Sequence, residues 1–388
     1  MVGESGSSEL ASLRLLQVAS FTSSFDRFLI APLIVVIAVD LGESIAAVTL
    51  AATVYFQAYG LMQAAWAVVS DKLGRVRTIR LSLLLAAVAG LASAAALDLG
   101  WLLICRALCG ASFAAAVPGA MMYVGDTTPF EVRQAPLTDL MTGAAIGIAL
   151  ATLGAGLIGD FLHWRIAFAL PALGAGVLAV LMRGVPEPTD VVRMPNRRSF
   201  ALVLRHRWAL VVLALGFGEG VILVGLLTFL PVTLQSHGSS TSTAGAITAV
   251  YGVVVLVFAR VVRRLSFRLP PARLIGLGGG CGALAYGAMV ADQQAVGVLV
   301  GSTLLGAAWA FMHSTLQTWV TEVVPEARAT AVCLFATMLF TGSAVASGLG
   351  SGLVLDGRFR LLFVLGLVLM LVLGLAATTS RHQYAKRH

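Results

Sequence analysis

A chain of 388 residues that is 59% hydrophobic and only 11% charged, with a mean hydropathy of +0.93, has too little polar surface to cover a soluble globule. Its net charge of +8 comes from 26 Lys and Arg against 18 Asp and Glu. In this composition the excess is a membrane-topology signal, so nucleic-acid binding is set aside and an all-α integral membrane protein is expected.

Residues 1–13 carry Glu4 and Glu9 without a basic run, and the apolar run behind them is too long for a signal-peptide core, so no cleaved leader is expected. Apolar runs then predict spans over 14–39, 46–69, 79–97, 101–124, 137–159 and 164–182, and over 208–234, 243–259, 273–291, 295–321, 329–353 and 360–379. Each is about 20 residues or longer, enough at about 1.5 Å per residue to cross roughly 30 Å of hydrocarbon as a helix. Twelve transmembrane helices follow.

Basic residues orient them. Of the 26 Lys and Arg, 21 fall on the side of the termini, from Arg14 through the loops at 72–80, 133, 183–207, 260–273 and 328 to Arg387. The opposite loops hold Arg165, Arg358 and Arg360 with the acids Asp40, Glu43, Asp98, Asp160, Asp292 and Asp356. The positive-inside rule places both termini in the cytoplasm. Cys105, Cys109, Cys281 and Cys333 lie within apolar spans without metal-ligand spacing and read as core residues.

The chain also repeats itself. Leu153-Gly154-Ala155-Gly156-Leu157 with Asp160 recurs 196 residues on as Leu349-Gly350-Ser351-Gly352-Leu353 with Asp356, and the same offset maps Asp126 and Pro129 onto Glu322 and Pro325. Two pseudo-symmetric six-helix bundles are expected, over 1–182 and 208–388, the second with a short cytoplasmic tail. A basic, proline-bearing linker over 183–207 joins them, lying on anionic headgroups. Parallel repeats place a transport site between the halves near the bilayer midplane.

The loop after the second span reads Asp71-Lys72-Leu73-Gly74-Arg75-Val76-Arg77. It resembles the signature loop of the major facilitator superfamily, as does the 6+6 layout over nearly the whole chain; Ala67 stands where the family usually has glycine, and Val76 interrupts the basic pair. Physically, Gly74 permits a tight turn, Arg75 and Arg77 supply cations, and Asp71 is an anion suited to a helix N-terminus. The resemblance implies a cytoplasmic gate in which Asp71 meets the start of the eleventh span near Arg328 and Arg75 pairs with Asp126. The bland alternative is that these charges only set topology. The corresponding loop of the second half, 260–268, has no acid.

Charges inside spans are costly, about 2.5 to 3.5 kcal/mol each at a helix centre on insertion scales, and point to use. Asp26 and Arg27 lie about mid-way along span 1, and Glu219 at similar depth in span 7. Asp26 and Glu219 are candidates for proton coupling, against the alternative of static buried ion pairs. Arg106 sits in Arg106-Ala107-Leu108-Cys109-Gly110, which resembles the family's arginine-bearing fourth-span motif linked to proton transfer; plain packing is the alternative. For the substrate cavity the candidates are Arg27, Trp309, His313 and Gln317, the last three sharing a face of span 10 at four-residue spacing, and more weakly Tyr55, Gln57 and Tyr59. A lone intramembrane His can equally be a structural donor.

A proton-coupled exporter of small amphipathic compounds is the first functional expectation, since the predicted cavity is mainly apolar; an uptake permease for a metabolite is the second. Span 5 carries Gly143, Gly147, Gly154 and Gly156 but not the Gly-Pro pair of the family's drug antiporters. A lipid-handling protein or a receptor is the alternative from another class. No catalytic triad, phosphate loop or metal spacing suggests an enzyme, and no cofactor is expected. Partners expected are a small-molecule substrate, protons and the bilayer, with a monomeric protein in a bacterial inner membrane.

Overall fold

The computed structural model describes residues 2–129, 132–188 and 196–387; the linker stretch 189–195, with Arg193 and Pro195, lies outside them. The described residues form helices without a strand. In the first half, span 1 is α1 (Val2–Phe28) with α2 (Ile30–Leu41), span 2 is α3 (Ile45–Leu73) and span 3 is α4 (Arg75–Ala94). Span 4 is α5 (Leu99–Phe113) with α6 (Ala116–Thr127), span 5 is α7 (Gln134–Phe161) and span 6 is α8 (Trp164–Leu181). A short helix, α9 (Asn196–Arg205), belongs to the linker.

Span 7 starts as α10 (Arg207–Glu219), passes through a π turn (Gly220–Gly225) and a 3-10 turn (Leu226–Thr228), and ends as α11 (Phe229–Ser236). Spans 8 to 12 are α12 (Thr241–Leu265), α13 (Pro271–Ala291), α14 (Ala295–Val323), α15 (Arg328–Leu355) and α16 (Phe359–Ala385). Among the described residues eleven helices are long and apolar enough to cross a bilayer, and α1 with the short apolar α2 forms the remaining expected span. Several helices run past the expected apolar runs, because hydropathy marks where the bilayer stops and not where the helix does.

Three breaks share one cause. Pro32, Pro118 and Pro231 are each the third residue of the helix that follows an interruption, in α2, α6 and α11. Proline has no N–H for the carbonyl four residues back and its ring crowds that carbonyl, so the helix yields at Leu29, at Ala114 and Ala115, and around Leu227.

Three of the six acids in the loops opposite the termini, Asp98, Asp160 and Asp292, cap helices. Asp98 accepts from Trp101 N at 2.8 Å to start α5, and Asp292 accepts from Gly297 N at 2.8 Å to start α14. Ser44 and Ser240, 196 residues apart, cap α3 and α12 in the same way. The two halves meet along α3 against α15 and α7 against α12. At the second seam a Cβ on Gly156 would stand 2.7 Å from the Thr241 carbonyl oxygen, so only glycine admits this approach. Large side chains such as Val88 and Leu375 point outward, as expected of lipid-facing surfaces.

Candidate functional site

At the end of α3 that lies on the side of the termini, Arg75 is the centre of the expected gate cluster. Its Nε donates to Asp126 at 2.8 Å, and its Nη1 donates to Asp71 at 2.8 Å and to Ser70 at 3.0 Å. Asp71 therefore pairs within its own half, one turn away, and not with the start of α15. Arg328 at that start is exposed.

Beside this cluster a carboxylate caps the N-terminus of α4, and it belongs to Glu187. Its oxygens accept from Val76 N at 3.0 Å and Arg77 N at 2.7 Å. Gly74 makes this geometry available with a φ of 101°, and a Cβ there would stand 2.8 Å from the Glu187 carboxylate. Arg77 thus contributes its backbone, while its side chain is exposed instead of forming the expected fixed cation. Glu187 escaped notice because it sits in the linker, 111 residues from its partner.

Near mid-membrane, Asp26 and Arg106 form a sealed pair, each with no exposed surface. Arg106 Nη1 and Nη2 donate to the two carboxylate oxygens at 3.1 Å, Nη2 also reaches the Asp26 carbonyl at 3.0 Å, and the Cys109 thiol lies 3.4 Å from Oδ2. Tyr55 and Phe168 cover the guanidinium, their ring centres 4.6 and 4.8 Å away. Tyr55 is therefore wall material behind an ion pair and not a cavity residue. Gln57, two positions on and about 200° around the helix, faces elsewhere and is half-buried.

Glu219 ends α10 where the π turn begins, a helix defect that frequently accompanies functional sites. Its Oε2 lies 3.1 Å from His313 Nδ1, while its Oε1 is buried without a hydrogen-bond partner. His313 is stacked on Trp309, ring centres 3.9 Å apart, and retains 18% side-chain exposure. Gln317 lies one turn further along α14 and is half-buried. Span 10 thus brings its three expected residues onto one face, which meets span 7.

Arg27, next to Asp26, points the other way. It lines a narrow cavity between the halves with Phe28, Phe56, Thr152, Thr228, Thr248 and Tyr251, pinched to room for about one water at ≈ 10 Å³. Phe340 of α15 lies 5.0 Å from its guanidinium, bringing a second-half side chain to a first-half charge.

Among the described residues, hydrogen bonds join the halves from mid-membrane towards the face opposite the termini, the outer face in the orientation expected from the basic residues. Thr337 donates to the Gly60 carbonyl at 2.9 Å, and Thr53 and Ser347 are 3.0 Å apart. Nearer the outer face, Gln235 donates to the Pro32 carbonyl at 2.9 Å, an acceptor that lies beside the proline break. At the surface itself, Asp160 at the end of α7 accepts from Thr241 N at 3.0 Å and Ser242 N at 2.8 Å, a first-half carboxylate capping a second-half helix. Beside this contact lies an open hollow of about 500 Å³ lined by Asp40, Asp160, His163 and Thr241.

The sequence profile of the Major Facilitator Superfamily matches residues 16–347. The chain belongs to this superfamily. A gallate transporter of Pseudomonas putida is 25% identical over 305 residues, covering 68% of this chain and 67% of the relative. Among solved structures, a D-xylose-proton symporter aligns with a TM-score of 0.79 at 15% identity, over 94% of this chain and 97% of its own. A nucleoside transporter aligns at 0.77 and 14%, over 95% and 99%. At those identities the likeness is one of fold. The protein is a secondary transporter of the major facilitator type and not an enzyme.

Proposed function

We propose that this transporter couples uptake of a small organic solute to proton entry, with Glu219 and His313 as the proton site. The unpartnered carboxylate oxygen of Glu219 carries the proposal. Glu219 has no exposed surface and only its Oε2 meets a partner, so part of the cost of burying a carboxylate is left uncompensated at Oε1. His313 keeps partial exposure, so this pair is not sealed as Asp26 and Arg106 are. Asp26 is the weaker candidate, since Arg106 occupies both its oxygens and neither residue is exposed.

Uptake is favoured over the exporter expected from an apolar cavity. Arg27 lines the space between the halves, Glu219 and His313 add a polar pair within the second half, and the relatives include a gallate transporter and a D-xylose-proton symporter. The contacts joining the halves towards the outer face support an inward-facing conformation, given cytoplasmic termini, and the loop cluster of Asp71, Arg75 and Asp126 then forms the side that would close on rocking.

The test is transport by the purified protein in liposomes carrying an internal pH dye, with gallate, xylose, uridine and ethidium supplied in turn. Entry of a solute together with internal acidification is the expected result. Solute movement without proton movement would remove the coupling, and ethidium expulsion against its gradient would restore the exporter.

A further inference from the structure

Arg27 is a cation without a counter-ion. It is 9% exposed, at the last turn of α1, and one of its nitrogens, Nη2, donates to Ser24 Oγ at 3.1 Å. Its Nε is buried and has no hydrogen-bond partner, and among the described residues no carboxylate stands within ion-pair distance. The adjacent Asp26 does not serve, being turned away and already neutralised by Arg106. What surrounds the guanidinium is aromatic: Tyr59 at 4.9 Å, Phe340 at 5.0 Å and Phe28 at 5.4 Å to the ring centres. Rings soften the burial of a cation but return no charge.

Buried charges are kept when something pairs with them, and a guanidinium presents a planar fork matched to two oxygens of one anion. The space beside Arg27 is walled by both halves, with Phe56 and Thr152 on one side and Thr228, Thr248 and Tyr251 on the other. Those walls are what part when the halves rock, so the missing counter-ion has a means of arriving and leaving. One cation matches one negative charge; a phosphate dianion would call for further cations that this wall does not supply.

We propose that the cavity between the halves is a carboxylate site, in which Arg27 takes the two oxygens of a small organic monoanion and Phe56, Tyr59 and Phe340 flank its apolar or aromatic body. This rests on the reading that the cavity carries cargo, and it names the cargo's class. Tyr251, opposite Arg27 in the same cavity, belongs to the half that carries Glu219.

Binding to the full-length protein in detergent, measured by calorimetry, tests the assignment with benzoate, gallate and butyrate against neutral benzamide, pyrogallol and butyramide. Carboxylates are expected to bind at least about 10-fold tighter than their neutral partners, Arg27→Lys to lose about 10-fold, and Arg27→Gln on the order of 100-fold. The uncomplexed Arg27→Gln protein is expected to melt no lower than the native one, because it loses an unpaired buried charge; a residue needed only for packing would lower it.

Equal binding of acids and neutral analogues, undiminished binding by Arg27→Gln, or no binding of any of the three acids overturns the assignment. If Arg27→Gln does not fold, the native comparison and Arg27→Lys decide. Arg27-dependent binding without proton movement in liposomes would sink the coupling reading alone, whereas proton-linked uptake of a neutral solute with no carboxylate binding would sink this one alone.

Discussion

Two buried carboxylates, Asp26 and Glu219, have opposite surroundings, and the difference predicts different failures. Asp26 is locked on both oxygens by Arg106, so Asp26→Asn or Arg106→Gln strands a buried partner and is expected to cost about 3–5 kcal/mol. Thermal unfolding of the purified variants measures this, and an unchanged midpoint for both would show the pair to be dispensable. Glu219→Gln, in contrast, removes an incompletely satisfied charge. It should abolish uphill uptake while preserving counterflow exchange at equal pH, and uphill uptake at the native rate would dismiss Glu219 as the proton carrier. That these residues need partners was readable from their cost in an apolar run, but the identity of the partners was not. Arg106 is 80 residues from Asp26 and His313 is 94 from Glu219, and helical spacing tells which face a side chain takes without telling which helix it meets.

At the level of helices, proline positions were visible in the sequence, yet their common effect appeared only with three breaks in view. Gln235 reaches the Pro32 carbonyl across the halves, and that contact could not have been deduced from either segment alone. Asp160 gives the clearest case of misjudged purpose. In sequence it was one acid among several in the outer loops; in the structure it caps α12 from the opposite half. An N-cap is worth roughly 0.5–2 kcal/mol, so Asp160→Ala should shift the balance between outer-closed and outer-open forms by about 2- to 30-fold. Spin labels at Leu157 and Ser239, read as a distance distribution, should reveal a longer component in the variant. Identical distributions would mean that the cap stabilises a helix without holding the gate.

For the whole molecule, hydropathy supplied the twelve crossings and the 196-residue repeat supplied the two halves, because both depend on local periodicity and internal copying. Symmetry then misled wherever one copy had taken on a task of its own. Asp126 is held by Arg75 from the loop before span 3, whereas its counterpart Glu322 is held at 2.8 Å by Arg381 near the end of span 12. Asp160 grips the other half, whereas Asp356 is exposed. Asp356 already carries the equivalent charge, so it should not compensate for Asp160→Ala, and transport by that variant at the native rate would show the seams to be interchangeable.

The Glu187 carboxylate on the backbone of Val76 and Arg77 has a consequence for how the two halves are tethered. The polar connector begins at 183, but its opening residues are stapled to the first bundle and travel with it, so the leash between the moving bodies starts only after Glu187. Two polypeptides ending and beginning within 189–195, made together in one cell, should therefore assemble into a working transporter. Adding Glu187→Ala to the first of them should loosen the start of span 3 by about 1 kcal/mol while leaving the second piece unaffected, which limited proteolysis at that loop would register.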